Sequence, residues 1–428
     1  MKTINIFFIC CALVLLNSCS QTSNDYIEIS KNDYKNQLHG FWLGQCIANW
    51  TGLITEMDKI GFDTANTSSE FYTSENWGTQ DLPNLWGSNN HSQNIDFIYA
   101  ERDSLWGSDD DTDIEYIYQE LLLANKTPTL SGEQIKNGWL KHIKAEEENY
   151  LWVSNQTAFD LMGEGVVPPM TSDPELNSNF NMIDAQLTTE IFGFYAPGYP
   201  EIAVDLAHLP IRTTARDEAA EISEFYVRLY ALGAVPSDQS PKDRIFGMAE
   251  EARAKMDDSG YPAKMYDFVK SNYHEGITWE QTRDELHLKY QINQEDNYKM
   301  ATTDTICQGC FAAGINFGAG MISYFYGEGN FKETVKIGAL CGWDSDNPTA
   351  TWGGLLGFMY GAEQLSADFG VDFSNQFNIH RTRQGFKNNG IDTFENMADK
   401  GVQIVEMVNT NFQLYEEQDE KWLLPKEK

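Results

Sequence analysis

Two aspartates one residue apart, Asp344 and Asp346, are followed by Asn347 and Pro348 in the run Cys341-Gly-Trp-Asp-Ser-Asp-Asn-Pro348. Oxygen ligands that alternate along a bend suit a hard cation such as Mg²⁺ or Ca²⁺. Pro348 suits the first turn of a helix, where its missing N–H costs nothing. Gly353, Gly357 and Gly361 recur at every fourth residue behind it and so share one helix face. An interior glycine costs a helix about 1 kcal/mol against alanine, so three on one face point to another backbone packed close. The plain alternative is an Asp-capped helix start with no ion.

A second acidic run, Asp109-Asp110-Asp111-Thr112-Asp113, precedes Ile114, Ile117, Tyr118, Leu121 and Leu122 at helical spacing. It therefore sits at a helix N-terminus, where capping and the helix dipole account for part of it. The remaining carboxylates repel one another, and a cation resolves the repulsion. Asp109, Asp111, Asp113 and Glu120 imitate EF-hand spacing, but Ile114 stands where that loop needs glycine, so an EF-hand is rejected. A third feature is Glu56, one turn beyond a helix with small residues at 40, 44, 48 and 52. A carboxylate at a helix C-terminus is poorly placed for the dipole. That points to another task, against the plainer reading of an exposed glutamate.

The elements that must position these groups read as helices, because strand patterns are scarce. The folded part is expected from about Leu38. One or two helices follow at 132–163, a helical run at 202–209, an amphipathic helix at 217–232, charged helices at 241–289 and a short helix at 331–340. A mixed polar and helical stretch then runs to a charged tail. Gly309 to Gly327 carries no charge, but Asn316, Ser323 and its glycines favour a central buried helix over a membrane span. Cys307-Gln-Gly-Cys310 is read as small apolar residues within a helix, since two thiols cannot close a structural zinc site. Residues 66–108 form a long loop with Trp77, Trp86 and Trp106, either sugar-stacking residues or a satellite core. No phosphate loop and no internal repeat is present.

The chain has 428 residues and a formal charge of -34, which argues against nucleic-acid binding. Its 11 Trp, 20 Tyr and 24 Phe argue against disorder. Met1 to Ser18 reads as an export signal: Lys2, then an apolar run from Ile4 to Leu16 too short to span a bilayer. Leu16-Asn-Ser-Cys19 resembles a bacterial lipobox, with Cys19 the lipidated residue and an ordinary cleaved signal the alternative. Residues 19–36 are then a polar tether and 37–428 one domain. Ser20 and Gln21 lack the acidic residue of inner-membrane retention, so lipid anchoring in the bacterial outer membrane is expected.

Taken together, the three segments resemble the ADP-ribosylglycohydrolase family. Its first helix, ending in Gly-Asp-x-x-Gly-x-x-x-Glu, is similar to Ala48-Asn49-Trp-Thr-Gly52-Leu-Ile-Thr-Glu56. Its Thr-Asp-Asp-Thr motif resembles Asp109-Asp110-Asp111-Thr112. Its late Gly-x-Asp-Thr-Asp-Thr motif resembles Gly342-Trp343-Asp344-Ser345-Asp346-Asn347. Tyr326-Gly327-Glu-Gly329-Asn-Phe331, and the Pro-Gly-x-Pro turn within 186–231, are similar too. The resemblance spans about 37–365.

The resemblance implies an all-α orthogonal helical bundle with a dinuclear Mg²⁺ centre. Its ligands would be Asp109, Asp110, Asp111, Asp344, Asp346 and Asn347, with Glu56 catalytic beside the cleaved bond. Trp106 and Trp343 are the expected substrate contacts. Asp109 in place of threonine adds charge and could shift preference toward Ca²⁺ or Mn²⁺; Asn49 replaces the first-helix aspartate. The function implied is a metal-dependent glycohydrolase acting on an ADP-ribosyl-like or other sugar bond of a small molecule or glycan. The alternatives are a noncatalytic protein that keeps the fold and a glycan-binding surface lipoprotein.

Overall fold

The computed structural model describes residues 25–62, 70–82, 92–145, 149–299 and 307–426. The leader with Cys19, and Trp86, lie outside the described residues. The folded body starts earlier than expected. Strand β1 (Tyr26–Ser30) runs into helix α1 (Lys31–Gly52), whose N-terminus is capped by the Ser30 hydroxyl accepting from the Asp33 N–H. Any tether therefore ends before residue 26, not at 36.

After the loop come a two-residue strand β2 (Trp106–Gly107) and helices α2 (Asp110–Asn125), α3 (Gly132–His142) and α4 (Val153–Gly163). Then follow α5 (Asp184–Thr188), α6 (Pro200–Ile211), α7 (Asp217–Gly233), α8 (Pro241–Arg253), α9 (Tyr261–His274) and α10 (Trp279–Leu286). The last helical block is α11 (Ala313–Gly327), α12 (Phe331–Cys341), α13 (Asp346–Tyr360) and α14 (Ala362–Phe369). Strands β3 (Gln376–Asn378) and β4 (Ile391–Thr393), helix α15 (Phe394–Phe412), and strands β5 (Glu416–Gln418) and β6 (Lys421–Pro425) complete the chain. The mainly helical expectation holds. The charged tail is a correction: β6 pairs antiparallel with β1 and β5, and Trp422 is fully buried.

The central contact is α1 against α13, and glycine makes it possible. A Cβ at Gly44 would lie 2.3 Å from the Gly353 carbonyl oxygen, and one at Gly40 2.3 Å from that of Gly357. No side chain fits there, so the two backbones touch. Gly361 is not an interior helical residue; at φ +79° it stops α13. Helix α11 is buried along nearly its whole length, as its lack of charge predicts. No described helix is long and apolar enough to cross a membrane. Cys307 and Cys310 overturn the helical reading: they precede α11 and form a disulfide.

Candidate metal centre

Three chain segments carry the acidic groups, and local chemistry places each. At the start of α2, the Asp109 side chain caps the helix and the Thr112 hydroxyl accepts from the Asp109 N–H at 3.1 Å. The lead-in is fixed to α1 because Trp50 Nε1 donates to the Gly107 carbonyl at 3.1 Å. Beyond α1, Glu56 lies in a turn where Met57 N–H donates to the Trp343 carbonyl at 2.8 Å. At the start of α13, Ser345 Oγ donates to the Gly52 carbonyl at 3.0 Å. A Cβ on Gly52 would lie 2.5 Å from the Cα of Asp346, so this glycine lets the acidic turn reach α1.

Carboxylate oxygens of Glu56, Asp344 and Asp346 lie within 4.8 Å of one another, and so do those of Asp109, Asp110 and Asp111. Asp111 connects the two groups. Asn49 Nδ2 donates to its Oδ2 at 3.0 Å, and Asn347 Nδ2 to its Oδ1 at 3.0 Å. Asn347 Oδ1 in turn accepts from Gln186 Nε2 at 3.3 Å. The expected ligand Asn347 is therefore, as placed, a link between the clusters, and any ligation must use the second lone pair of Oδ1. Glu56 stands among the clustered carboxylates themselves, not apart from them.

The electrostatics are those of buried carboxylates that repel one another. Burial, then the charges of Asp346, Asp109 and Asp110, holds the Glu56 carboxyl well above the usual range. Burial and Asp109 push Asp346 up to about 7. Asp111 and Asp344 are driven well up by burial and by the charge of Asp346. Asp110 keeps a partly exposed edge but is also raised, by desolvation and by Asp109. Among the described residues none of these six carboxylates has a Lys or Arg ion pair; the Arg383 guanidinium goes to Asp113 at 2.8 Å. Asp346 Oδ1 is buried without a hydrogen-bond partner. Clustered buried carboxylates, an orphaned oxygen and no side-chain counter-charge fit a hard divalent ion, whose charge would reverse the upward shifts.

The expected aromatic contacts are corrected. Trp106 is 2% exposed; its Nε1 donates to the Ser374 carbonyl and its ring packs near Phe394. Trp343 is fully buried against Phe71 and His287. Both are core residues and offer no face to a sugar. Trp152, by contrast, is 50% exposed beside Tyr150. It sits at the start of α4, where the Asn155 N–H donates to Asp184 Oδ1 at 2.8 Å. Asp184 itself was missed: it is buried, pushed up to about 6 chiefly by burial, and its charge acts on Asp110. Gln186 was missed because nothing in its neighbourhood marks it. Asn316 did carry a signal, as a polar residue in an uncharged stretch, and the structure places its Oδ1 on the Asp344 N–H at 3.2 Å.

The sequence profile of the ADP-ribosylglycohydrolase family matches residues 30–400. A solved structure described as an ADP-ribosylglycohydrolase-related protein complex is 14% identical, covers 88% of this chain and 99% of its own, and superposes with a TM-score of 0.48. No curated protein matches the chain.

Proposed function

The chain belongs to the ADP-ribosylglycohydrolase family, and from that premise we propose that it is a metal-dependent glycohydrolase cleaving an ADP-ribosyl-like or other sugar bond. The observation that carries this reading is the convergence of six carboxylates from three segments with no ion-paired Lys or Arg among the described residues. Glu56, Asp344 and Asp346 would hold one divalent ion, and Asp109, Asp110 and Asp111 a second. Bound there, Mg²⁺, with Ca²⁺ or Mn²⁺ as alternatives, would supply the Lewis-acid charge that fixes a sugar's vicinal diol.

The chain's own groups do the rest. Asn49 and Asn347 hold Asp111 from α1 and α13, so the two clusters keep one geometry. Fixed positioning and a negatively charged surround favour an oxocarbenium-like transition state. Glu56, the match to the family's glutamate beside the cleaved bond, would move a proton to or from the attacking water or leaving oxygen. Substrate-stacking aromatics belong to the exposed Tyr150–Trp152 edge, not to Trp106 or Trp343.

Export and lipid anchoring through Cys19 belong to the same reading. The leader pattern supports it, and so does the Cys307–Cys310 disulfide, a bond that persists in oxidising compartments. The substrate is then a small molecule or glycoconjugate met outside the cytoplasm.

The deciding experiment is a panel of ADP-ribosyl and glycan substrates assayed with and without EDTA. Sugar release that EDTA abolishes and Mg²⁺ or Mn²⁺ restores is the expected result. Binding without turnover across the panel would instead make the chain a noncatalytic member of its family.

A further inference from the structure

Asn316 lies in the first turn of α11 and is fully buried. Both ends of its amide are engaged. Nδ2 donates to the Cys310 carbonyl at 2.7 Å and to the Ala312 carbonyl at 3.0 Å, while Oδ1 accepts the Asp344 N–H at 3.2 Å. An amide turned by half a rotation would face two carbonyls with its oxygen and an N–H with its NH₂. The network therefore fixes the orientation.

The Asp344 N–H belongs to a turn that needs holding. Gly342 has φ +92° and Trp343 φ +59°. A tryptophan in the left-handed region persists only where its surroundings over-determine it. Two bonds clasp this turn: Met57 N–H on the Trp343 carbonyl, and Asn316 on the Asp344 N–H.

The far end of that clasp is the loop closed by the Cys307–Cys310 disulfide. The residues that follow the loop into α11 pair with the segment before α5. Ile183 N–H donates to the Phe311 carbonyl at 3.0 Å, and Ala313 N–H to the Asn181 carbonyl at 3.1 Å. Helix α5 carries Gln186, which donates to Asn347. The disulfide loop thus reaches the acidic turn through Asn316 to Asp344, and the segment just after the loop reaches it through α5, from Gln186 to Asn347.

We propose that Asn316 is a positioning residue for the metal centre and that the Cys307–Cys310 disulfide is the clamp that fixes it, so that metal affinity depends on the disulfide being formed. This rests on the metal-dependent reading above. Asn316 acts through the Asp344 backbone and touches neither ion nor substrate. Losing such outer support lowers metal affinity or activity by about 10–100-fold.

The test uses the full chain purified without reductant, with the disulfide verified by mass, titrated with Mn²⁺ and read by electron paramagnetic resonance. Asn316→Ala and the double change Cys307→Ala with Cys310→Ala should each raise the Mn²⁺ dissociation constant by about 10–100-fold. The combined variant should be no weaker than the weaker of the two, because both act along one path. The Cys-to-Ser pair serves if the alanine pair does not fold, and Asn316→Ala alone tests the first half. Folded variants that bind Mn²⁺ within about twofold of the parent, with only a lowered melting temperature, overturn the inference. A parent chain that binds no Mn²⁺ at all overturns the metal-dependent reading instead.

Discussion

Asn347 Nδ2 donates to Asp111 Oδ1 at 3.0 Å, joining the starts of α13 and α2 across 236 residues of sequence. With Asn49 on its other oxygen, Asp111 is held from two helices that are themselves in backbone contact. The bond makes the acidic clusters one object. Asn347→Leu removes the donor and leaves a buried carboxylate oxygen unmatched, at a cost of about 1–3 kcal/mol. A lower melting temperature together with weaker Mg²⁺ binding in calorimetry is the expected pair of results. A normal Mg²⁺ isotherm would show that the link does not serve the site.

Asp346 lies among like charges and carries an orphaned oxygen. Neutralising it should have opposite effects on stability and on binding. Asp346→Asn is expected to melt higher than the parent in EDTA, because repulsion is relieved, and to lose the gain in melting temperature that Mg²⁺ gives the parent. The combined change of Asp344 and Asp346 to Ala should abolish calorimetric Mg²⁺ binding. An unchanged isotherm there removes the ligand assignment.

The α1–α13 contact should be intolerant of a single methyl group. At Gly44 an added Cβ would sit 2.3 Å from the Gly353 carbonyl oxygen and 2.9 Å from the Gly357 Cα, both backbone atoms. Gly44→Ala must push the helices apart, at a cost of about 1–3 kcal/mol as overpacking. Since Gly52, Glu56 and Asp346 lie at the end of that contact, Mg²⁺ affinity should fall as well. Denaturant unfolding and metal titration of the one variant check both halves.

Away from the acidic turns, Glu115 and Glu190 form a second buried pair. Glu115 accepts from Gln45 Nε2 at 2.7 Å and the Ile191 N–H at 2.9 Å, while Glu190 accepts from the Thr351 hydroxyl at 3.0 Å. Burial pushes the Glu190 carboxyl from 4.5 up to about 8. The folded chain therefore keeps a proton that the unfolded chain releases above its ordinary value. That contribution is fully present below pH 4.5 and is lost as pH rises to about 8. The slope is on the order of 1 kcal/mol per pH unit. Glu190→Gln should flatten the dependence of the EDTA-treated protein across that window. An unchanged slope in pH-resolved melting would assign the proton elsewhere.

Much of the site was legible in sequence because its physics is local. An aspartate run before a helical period must lie at a helix start, and glycines four residues apart must line one face. Both statements depend only on helix geometry, and α2, α1 and α13 bear them out. The lone polar Asn316 in an uncharged stretch was visible too, although its partner was not. The three acidic segments could be named from their residue types, since carboxylates crowded together need a counter-charge wherever they fold.

Which groups meet was decided by packing at long range. Trp106 in its long loop and Trp343 in the acidic motif read as substrate contacts, yet both fill the core, while Trp152 is half exposed. Nothing local distinguishes these cases, because burial depends on what the rest of the chain lays over a ring. Cys307 and Cys310 read as small apolar residues until the chain direction before α11 brought their sulfurs together. Asn347 read as an ion ligand, and nothing local foretold that its amide would also join Asp111 to Gln186. Residue type and helical period settle locally which chemistry is present; the close approach of α1 and α13, possible only without side chains between them, determines which oxygens share a site.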